Sequence, residues 1–436
     1  MLKTFSRLTI PLRTKTIINT LYRSLTSQNN TCSSSNIGSR FKKKPLDPKL
    51  SLEDPLKVSS RWSEEQLQIR NTVRDFSNNY LRKRIGFDFR NNKINCFNSN
   101  REIVKEMGNL GILGVISQGM SNVVYGIIAR EIESVDSAYR STMSVQSSLV
   151  IYPISKYGLD SVKNDFLDGL CSGDLVGCFG LTEPNHGSDP SSMITKAKRE
   201  NKGYVLNGEK TWITNSPLAD VFIVWCKDTS NQDKISGFVL HRDDKGISTP
   251  VIHNKLSLNA SITGQIVMDN VWIPEDRKLN VDGLKGPFSC LNQARFGISW
   301  GVLGSAVDSL EVAREYTGMR SQFGKSLSEF QLIQTKLANY TGRVGMALSA
   351  CQQLAELRDK KEDTPEMVSI LKAQNCQLAL ETAQNCRDML GGNGIIDDYS
   401  PIRHLMNLQA VCTYEGTTDI HNLIVGRSLT GYSAFY

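Results

Sequence analysis

A chain of 436 residues, 39% apolar and 22% charged, is long enough to bury a sizeable core over two or three domains. It contains no run of roughly 18 apolar residues, so membrane insertion is not expected. The net charge of +7 is local: residues 1–44 carry nine Lys and Arg and no acid, and subtracting these leaves about −2 elsewhere, which implies no nucleic-acid surface on the body.

Within residues 1–44, Leu8, Ile10, Leu12, Ile17, Ile18 and Leu21 are interleaved with the basic residues among many Ser and Thr. That composition predicts a mitochondrial transit peptide and a mitochondrial matrix location. The C-terminal Ser433-Ala434-Phe435-Tyr436 is not a peroxisomal address. Ten cysteines without a C-x-x-C pair, and five scattered histidines, predict reduced thiols and no metal site.

In chain order, Pro45 to Trp62 reads as an extended lead-in. Ser63-Glu64-Glu65-Gln66 fits a capping box that opens a helix with Ile69, Val73, Phe76 and Tyr80 on one face. Further helical patterns over 103–110, 123–133 and 162–170 predict an all-α domain spanning 45–175. From Val176 the texture becomes β-like. Asn207-Gly208 between strand-like flanks predicts a hairpin, and Asp269-Asn270 separates two further short runs. Residues 176–285 therefore form a predicted β domain, a sandwich or barrel.

After Gly286-Pro287 the helical period returns. Phe330, Ile333, Leu337, Tyr340, Val344, Ala347, Cys351 and Leu354 alternate spacings of 3 and 4, the stripe of a helix bundle or an oligomer seam. A helix over about 366–390 closes on Gly391-Gly392-Asn393-Gly394. The expected fold class is α+β and multidomain: an N-terminal α-helical domain, a middle β domain, and a four-helix-bundle-like domain over 286–436.

Five stretches carry candidate chemistry. Phe179–Asp189 offers hydroxyls and free amides to a planar polar ring. Lys210–Asn215 offers an aromatic with flanking hydroxyls. Arg320–Gly324 suits a phosphate, and Met389–Gly394 offers bare backbone. Thr413-Tyr414-Glu415-Gly416-Thr417 sets a carboxylate beside a glycine at a helix junction. Each alone is also compatible with an ordinary loop, half-buried strand, cap or solvated turn.

Their joint order is more specific. L-T-E-P-x-x-G-S-D, W-I-T-N, R-x-Q-F-G, G-G-N-G and Y-E-G-T occur in series, and from about Trp62 to Tyr436 the chain resembles the acyl-CoA dehydrogenases, α–β–α flavoproteins. Tyr139–Ser148, Thr211–Pro217 and Arg403–Leu408 resemble the branch of that family that oxidises glutaryl-CoA. His186 and Thr418 depart from the Ser and His expected at those places.

The resemblance implies FAD as cofactor. Phe179, Gly180, Leu181, Thr182, Gly187, Ser188, Trp212, Ile213 and Thr214 would line its isoalloxazine, with Ser188 also near the thioester arm. Arg320, Gln331, Asp388, Met389, Leu390, Gly391 and Gly392 would hold the ADP part across a subunit boundary; Thr417 and Phe435 complete that set. Phe288, Ser289, Cys290, Leu291, Asn292, Gln293, Ala294 and Arg295 would contact CoA.

Glu415 would be the catalytic base, with Gly416 beside the acyl thioester. Arg140, with Ser141 and Ser144, would bind the distal carboxylate of glutaryl-CoA, Glu133 would steady Arg140, and Tyr414 would contribute to decarboxylation. If residues 133–144 are one helix, Glu133 and Ser144 share the face of Arg140. The implied partners are electron-transfer flavoprotein and three further copies of the chain in a homotetramer. The implied reaction is oxidative decarboxylation to crotonyl-CoA and CO2; the alternatives are a non-decarboxylating enzyme or another short-chain acyl-CoA dehydrogenase.

Overall fold

A computed structural model describes residues 49–90 and 96–435. The basic segment 1–44, and with it the predicted transit peptide, lies outside the described residues.

The N-terminal helices are α1 (Glu64–Phe76), α2 (Arg82–Arg90), α3 (Cys96–Asn109), α4 (Asn122–Glu133), α5 (Ser137–Ser144), α6 (Tyr152–Tyr157) and α7 (Asp160–Cys171). The predicted capping box is present: Gln66 N–H donates to Ser63 Oγ at 3.2 Å, and Ser63 N–H to Gln66 Oε1 at 3.0 Å. Residues 133–144 are not one helix. Ser134–Asp136 interrupt the helix, and Asp136 starts α5 afresh as its N-cap, accepting from Ala138 N–H at 2.8 Å. The local hydrogen bonds of an Asx cap outcompete helix continuation there.

The middle region holds β1 (Gly177–Gly180), β2 (Lys196–Glu200), β3 (Gly203–Thr214), β4 (Val221–Asp228), β5 (Lys234–His241), β6 (Ile247–Ser248), β7 (Thr263–Pro274) and β8 (Lys278–Asp282). They form one sheet in the order β6-β7-β3-β2-β4-β5-β8, with β1 parallel to β4. The two-residue alternation of a strand sorts its side chains. Val221, Ile223 and Trp225 join the core shared with the helices, whereas Phe222, Val224 and Cys226 join a second core within the sheet.

The predicted hairpin at Asn207-Gly208 is absent. Those residues lie inside β3, where the register with β7 shifts between Leu206 and Gly208. Asp269-Asn270, also expected to end a strand, lie inside β7. The two turn-like pairs oppose each other, and Asn207 Nδ2 donates to Asn270 Oδ1 at 3.1 Å. Turn-forming residues here relieve a bulge in a long ladder instead of reversing the chain.

The C-terminal helices are α8 (Lys285–Met319), α9 (Gln331–Asp359), α10 (Pro365–Met389), α11 (Ser400–Thr413) and α12 (Thr418–Thr430). The long α8 runs through the middle, packed on α4, α9, α10 and α11. The second half of the α9 stripe, Val344, Ala347, Cys351 and Leu354, is buried in the shared core, so this part of the stripe is a seam within the chain. Gly391, at φ +61°, ends α10 as a left-handed residue, as its composition predicts.

Candidate active site

Helices α4, α5, α8, α10 and the α11–α12 junction converge on one cluster. Glu133, at the end of α4, and Arg140, on α5, are both fully buried. Arg140 Nε donates to Glu133 Oε2 at 2.5 Å, and Ser137 Oγ donates to Glu133 Oε1 at 2.7 Å. Arg140 Nη2 donates to the phenol oxygen of Tyr414, which also bonds Ser141 Oγ at 3.0 Å. The remaining terminal nitrogen, Arg140 Nη1, is buried and has no hydrogen-bond partner.

A surface ion pair is thereby excluded for Arg140 and Glu133. An unpaired donor on a buried guanidinium costs free energy unless a ligand meets it, and an anionic oxygen is its best partner. Glu133 confines the cation without consuming all its donors. On α8, Gly301 makes room for the pair: a β-carbon there would lie 2.3 Å from Glu133 Oε2 and 3.1 Å from Arg140 Nε.

Ser144 lies on α5 with Arg140, but its hydroxyl accepts from Tyr125 OH at 3.3 Å, and the same phenol bonds Ser148 Oγ at 2.7 Å. Tyr125 went unnoticed in the sequence, because an aromatic inside the apolar run of α4 carries the signature of core. Its buried hydroxyl, bridging two serines, distinguishes it.

Glu415 sits in the four residues between α11 and α12. It has the left-handed φ of +55°, and Gly416 follows at +102°. A side chain at 416 would be strained by that φ, and its β-carbon would lie 2.8 Å from His421 Nε2. Thr417 caps α12 by accepting Ile420 N–H at 3.2 Å, so its hydroxyl oxygen is already engaged. Glu415 Oε2 is inaccessible and unpartnered. Burial raises the Glu415 pKa, while Arg140, Arg295 and Lys372 act in the opposite sense. Burial likewise raises the Tyr414 pKa and keeps the phenol protonated.

The α8 residues named from the sequence divide. Phe288 is exposed and Ser289 and Asn292 are half-buried, whereas Cys290, Leu291 and Ala294 belong to the core. Gln293 Oε1 accepts from Arg358 Nη2 at 2.7 Å. Arg295 reaches the junction, where its Nε donates to Glu415 O at 2.7 Å.

Phe179 and Gly180 stand on β1, and Leu181–Ser188 continue as a loop beside β3. Lys210 Nζ holds that loop through Leu181 O at 3.0 Å and Glu183 Oε1 at 2.8 Å, while Glu183 accepts Ile194 and Thr195 N–H. Glu183 is thus a buried brace. Trp212, at φ +60°, stands 62% exposed, Ile213 is buried and Thr214 half-buried; Gly187 and Ser188 are exposed.

A second set gathers at the other end of α8 and α10. Arg320, Gln331, Asp388, Gly391 and Gly392 are exposed, Met389 and Leu390 buried beneath them, and Asn393 Nδ2 donates to Tyr316 OH at 2.9 Å. Among the described residues no hydrogen bond or ion pair joins this set to the β1–β3 set. Phe435 is 41% exposed beyond α12 and donates its N–H to Ser433 Oγ.

These surfaces fit a flavin dinucleotide. An exposed indole beside a loop of free amides suits a planar ring, and β-carbons built at Gly187, Gly391 and Gly392 would meet nothing within 4 Å. Among the described residues no group of three or more His, Cys, Asp or Glu could hold a metal ion, and no helix is long and apolar enough to cross a membrane.

Models of the N-terminal, middle and C-terminal domains of acyl-CoA dehydrogenases match residues 63–174, 178–271 and 282–430. An acyl-CoA dehydrogenase of Bacillus subtilis (strain 168) is 31% identical over 386 residues, covering 85% of this chain and 99% of its own. The mitochondrial short-chain specific acyl-CoA dehydrogenase of Homo sapiens is 32% identical over 76% of this chain and 82% of its own. The crystal structure of a glutaryl-CoA dehydrogenase from Mycobacterium smegmatis in complex with FADH2 superposes with a TM-score of 0.85 at 42% identity, covering 88% of this chain and all of that one. The chain belongs to the acyl-CoA dehydrogenase family, and its three-part α–β–α fold is that family's fold.

Proposed function

We propose that this acyl-CoA dehydrogenase uses FAD to oxidise and decarboxylate glutaryl-CoA to crotonyl-CoA and CO2. The observation that carries the substrate is the unpaired, buried Arg140 Nη1, on a guanidinium fixed by Glu133 and tied through Tyr414 to the Glu415 junction. An acyl chain with an apolar end would leave that donor unmet; a glutaryl carboxylate meets it with a charge-assisted bond. The likeness to the Mycobacterium smegmatis glutaryl-CoA dehydrogenase supports the same substrate.

FAD, when bound, supplies the acceptor for the β-hydride. The β1–β3 set would hold its ring, and the Arg320, Gln331 and Asp388–Gly392 set the ADP part of an FAD shared between subunits. Glu415 removes the α-proton of the thioester, its raised basicity following from burial. Arg140 anchors the far carboxylate, so that the acyl chain is stretched between a cation and a base. Once the chain is unsaturated, loss of CO2 leaves a dienolate, and the proton held by Glu415 returns to carbon. Tyr414, protonated and bonded to Arg140, would stand beside the carboxylate that is lost.

Electron-transfer flavoprotein as acceptor, a homotetramer, and a mitochondrial matrix location complete the proposal. The basic segment of residues 1–44 supports the location. Exposed Phe323 and Leu332, beside Arg320 and Gln331, support a subunit boundary there. The test is turnover of glutaryl-CoA with an artificial electron acceptor, following crotonyl-CoA and CO2. Oxidation of butyryl-CoA with glutaryl-CoA untouched would contradict the proposal, and oxidation without CO2 would select the non-decarboxylating alternative.

A further inference from the structure

Glu415 occupies the left-handed backbone region, which is strained for a non-glycine residue, so something must hold it there. Its setting adds a second cost. Helix α11 ends at Thr413 without a glycine cap, leaving carbonyls at its C-terminus without helical partners. Lys372, on α10, meets both needs. Its buried ammonium donates to Gly416 O at 2.7 Å, Tyr414 O at 3.1 Å and Cys412 O at 3.4 Å. Arg295, from α8, takes the intervening Glu415 O at 2.7 Å. Two cations from two helices therefore gather the carbonyls of Tyr414, Glu415 and Gly416.

We propose that Lys372 is the positioning residue for Glu415: it fixes the strained junction through three carbonyls and keeps a positive charge beside the carboxylate. The inference rests on Glu415 being the base. The charged and titratable groups that face Glu415 are Arg140 and Tyr125 from α5 and α4, Arg295 from α8, Lys372 from α10, neighbouring Tyr414, and His421 from α12. His421 stays neutral, its pKa drawn down to about 3 by burial and the two cations. Burial draws the Lys372 pKa down, while Cys376, Glu415 and Cys412 act in the opposite sense and the three carbonyls it donates to hold it as the ammonium. Lys372, Arg140 and Arg295 oppose the rise that burial imposes on Glu415, so removing Lys372 moves the Glu415 titration further up.

The test uses the FAD-loaded enzyme with glutaryl-CoA and the variants Lys372→Met, Lys372→Gln, Lys372→Arg and Glu415→Gln. Lys372→Met is expected to lose roughly 100-fold in kcat with KM little changed, since a base displaced by about 1 Å loses alignment, and Lys372→Gln to lose less, since it removes the charge but keeps a donor. In both, the acid limb of the kcat profile moves to higher pH; Lys372→Arg keeps the charge and the parent limb. Lys372→Gln retains donors for the carbonyls and so carries the test if Lys372→Met loses its flavin. Neutral variants with the parent kcat, or with a lowered kcat but an unmoved acid limb, would overturn the proposal. Glu415→Gln separates the two levels. If it turns over at the parent rate, the base assignment itself fails; if it is inactive while the Lys372 variants behave as the parent, only the role of Lys372 fails.

Discussion

Arg140 donates from Nη2 to the hydroxyl of Tyr414, the residue immediately before Glu415. The cation at one end of the cluster is therefore tied, through one residue of backbone, to the proposed base at the other. The guanidinium also lies over the Tyr414 ring, 5.8 Å from its centroid.

Gly301→Ala tests the support beneath that unit. The added methyl would fall 2.3 Å from Glu133 Oε2, inside the buried ion pair. Overpacking of this kind is expected to cost about 1–3 kcal/mol of stability. Turnover of glutaryl-CoA should fall more than turnover of butyryl-CoA, because the displaced group is the one that holds Arg140. A thermal melt together with both kcat/KM values checks it; equal losses for the two substrates would place the strain elsewhere.

Glu415→Gln removes the base but keeps the shape. Turnover should fall roughly 100- to 10,000-fold while bound flavin and ligand affinity persist. The pH dependence has a definite sign. Because burial raises the Glu415 pKa, the fold favours its protonated form. Its contribution to stability is fully present below the ordinary carboxylate range and is lost as pH rises through the raised pKa. Activity runs the other way and falls as pH drops through the same value. Melting temperatures across pH should therefore show Glu415→Gln gaining on the parent enzyme above that range, with the difference vanishing in acid.

Lys210→Met addresses the flavin side. It leaves the buried Glu183 carboxylate without its cation, a loss expected to cost about 3–5 kcal/mol. The Leu181–Ser188 loop also loses its tie to β3. The measured outcome should be less flavin absorbance per protein at equal folded fraction. Full retention of flavin would mean that the loop does not depend on this brace.

The α–β–α division was legible because helical and strand periods differ and each persists over many residues. Arg140 and Glu415 were singled out as candidates by the motifs around them, and the fold brings them together through Tyr414. The reach of Glu133 was anticipated, but through the wrong geometry: Asp136 breaks the helix, and the ion pair closes across that break. Asn207-Gly208 misled because a turn dipeptide and a bulge require the same backbone freedom. Tyr125, Gly301 and Lys372 were hidden for a different reason. Each acts on the site from a helix whose local pattern shows only burial, and only packing brings it to Glu133, Ser144 or the Glu415 junction.

The most direct measurement is the ratio of kcat/KM for glutaryl-CoA to that for butyryl-CoA, in the parent enzyme and in Arg140→Ala. Recognition of the distal carboxylate by Arg140 predicts a parent ratio well above one and a fall of roughly 100-fold in the variant, with butyryl-CoA turnover retained. A ratio that stays unchanged in Arg140→Ala would contradict the account.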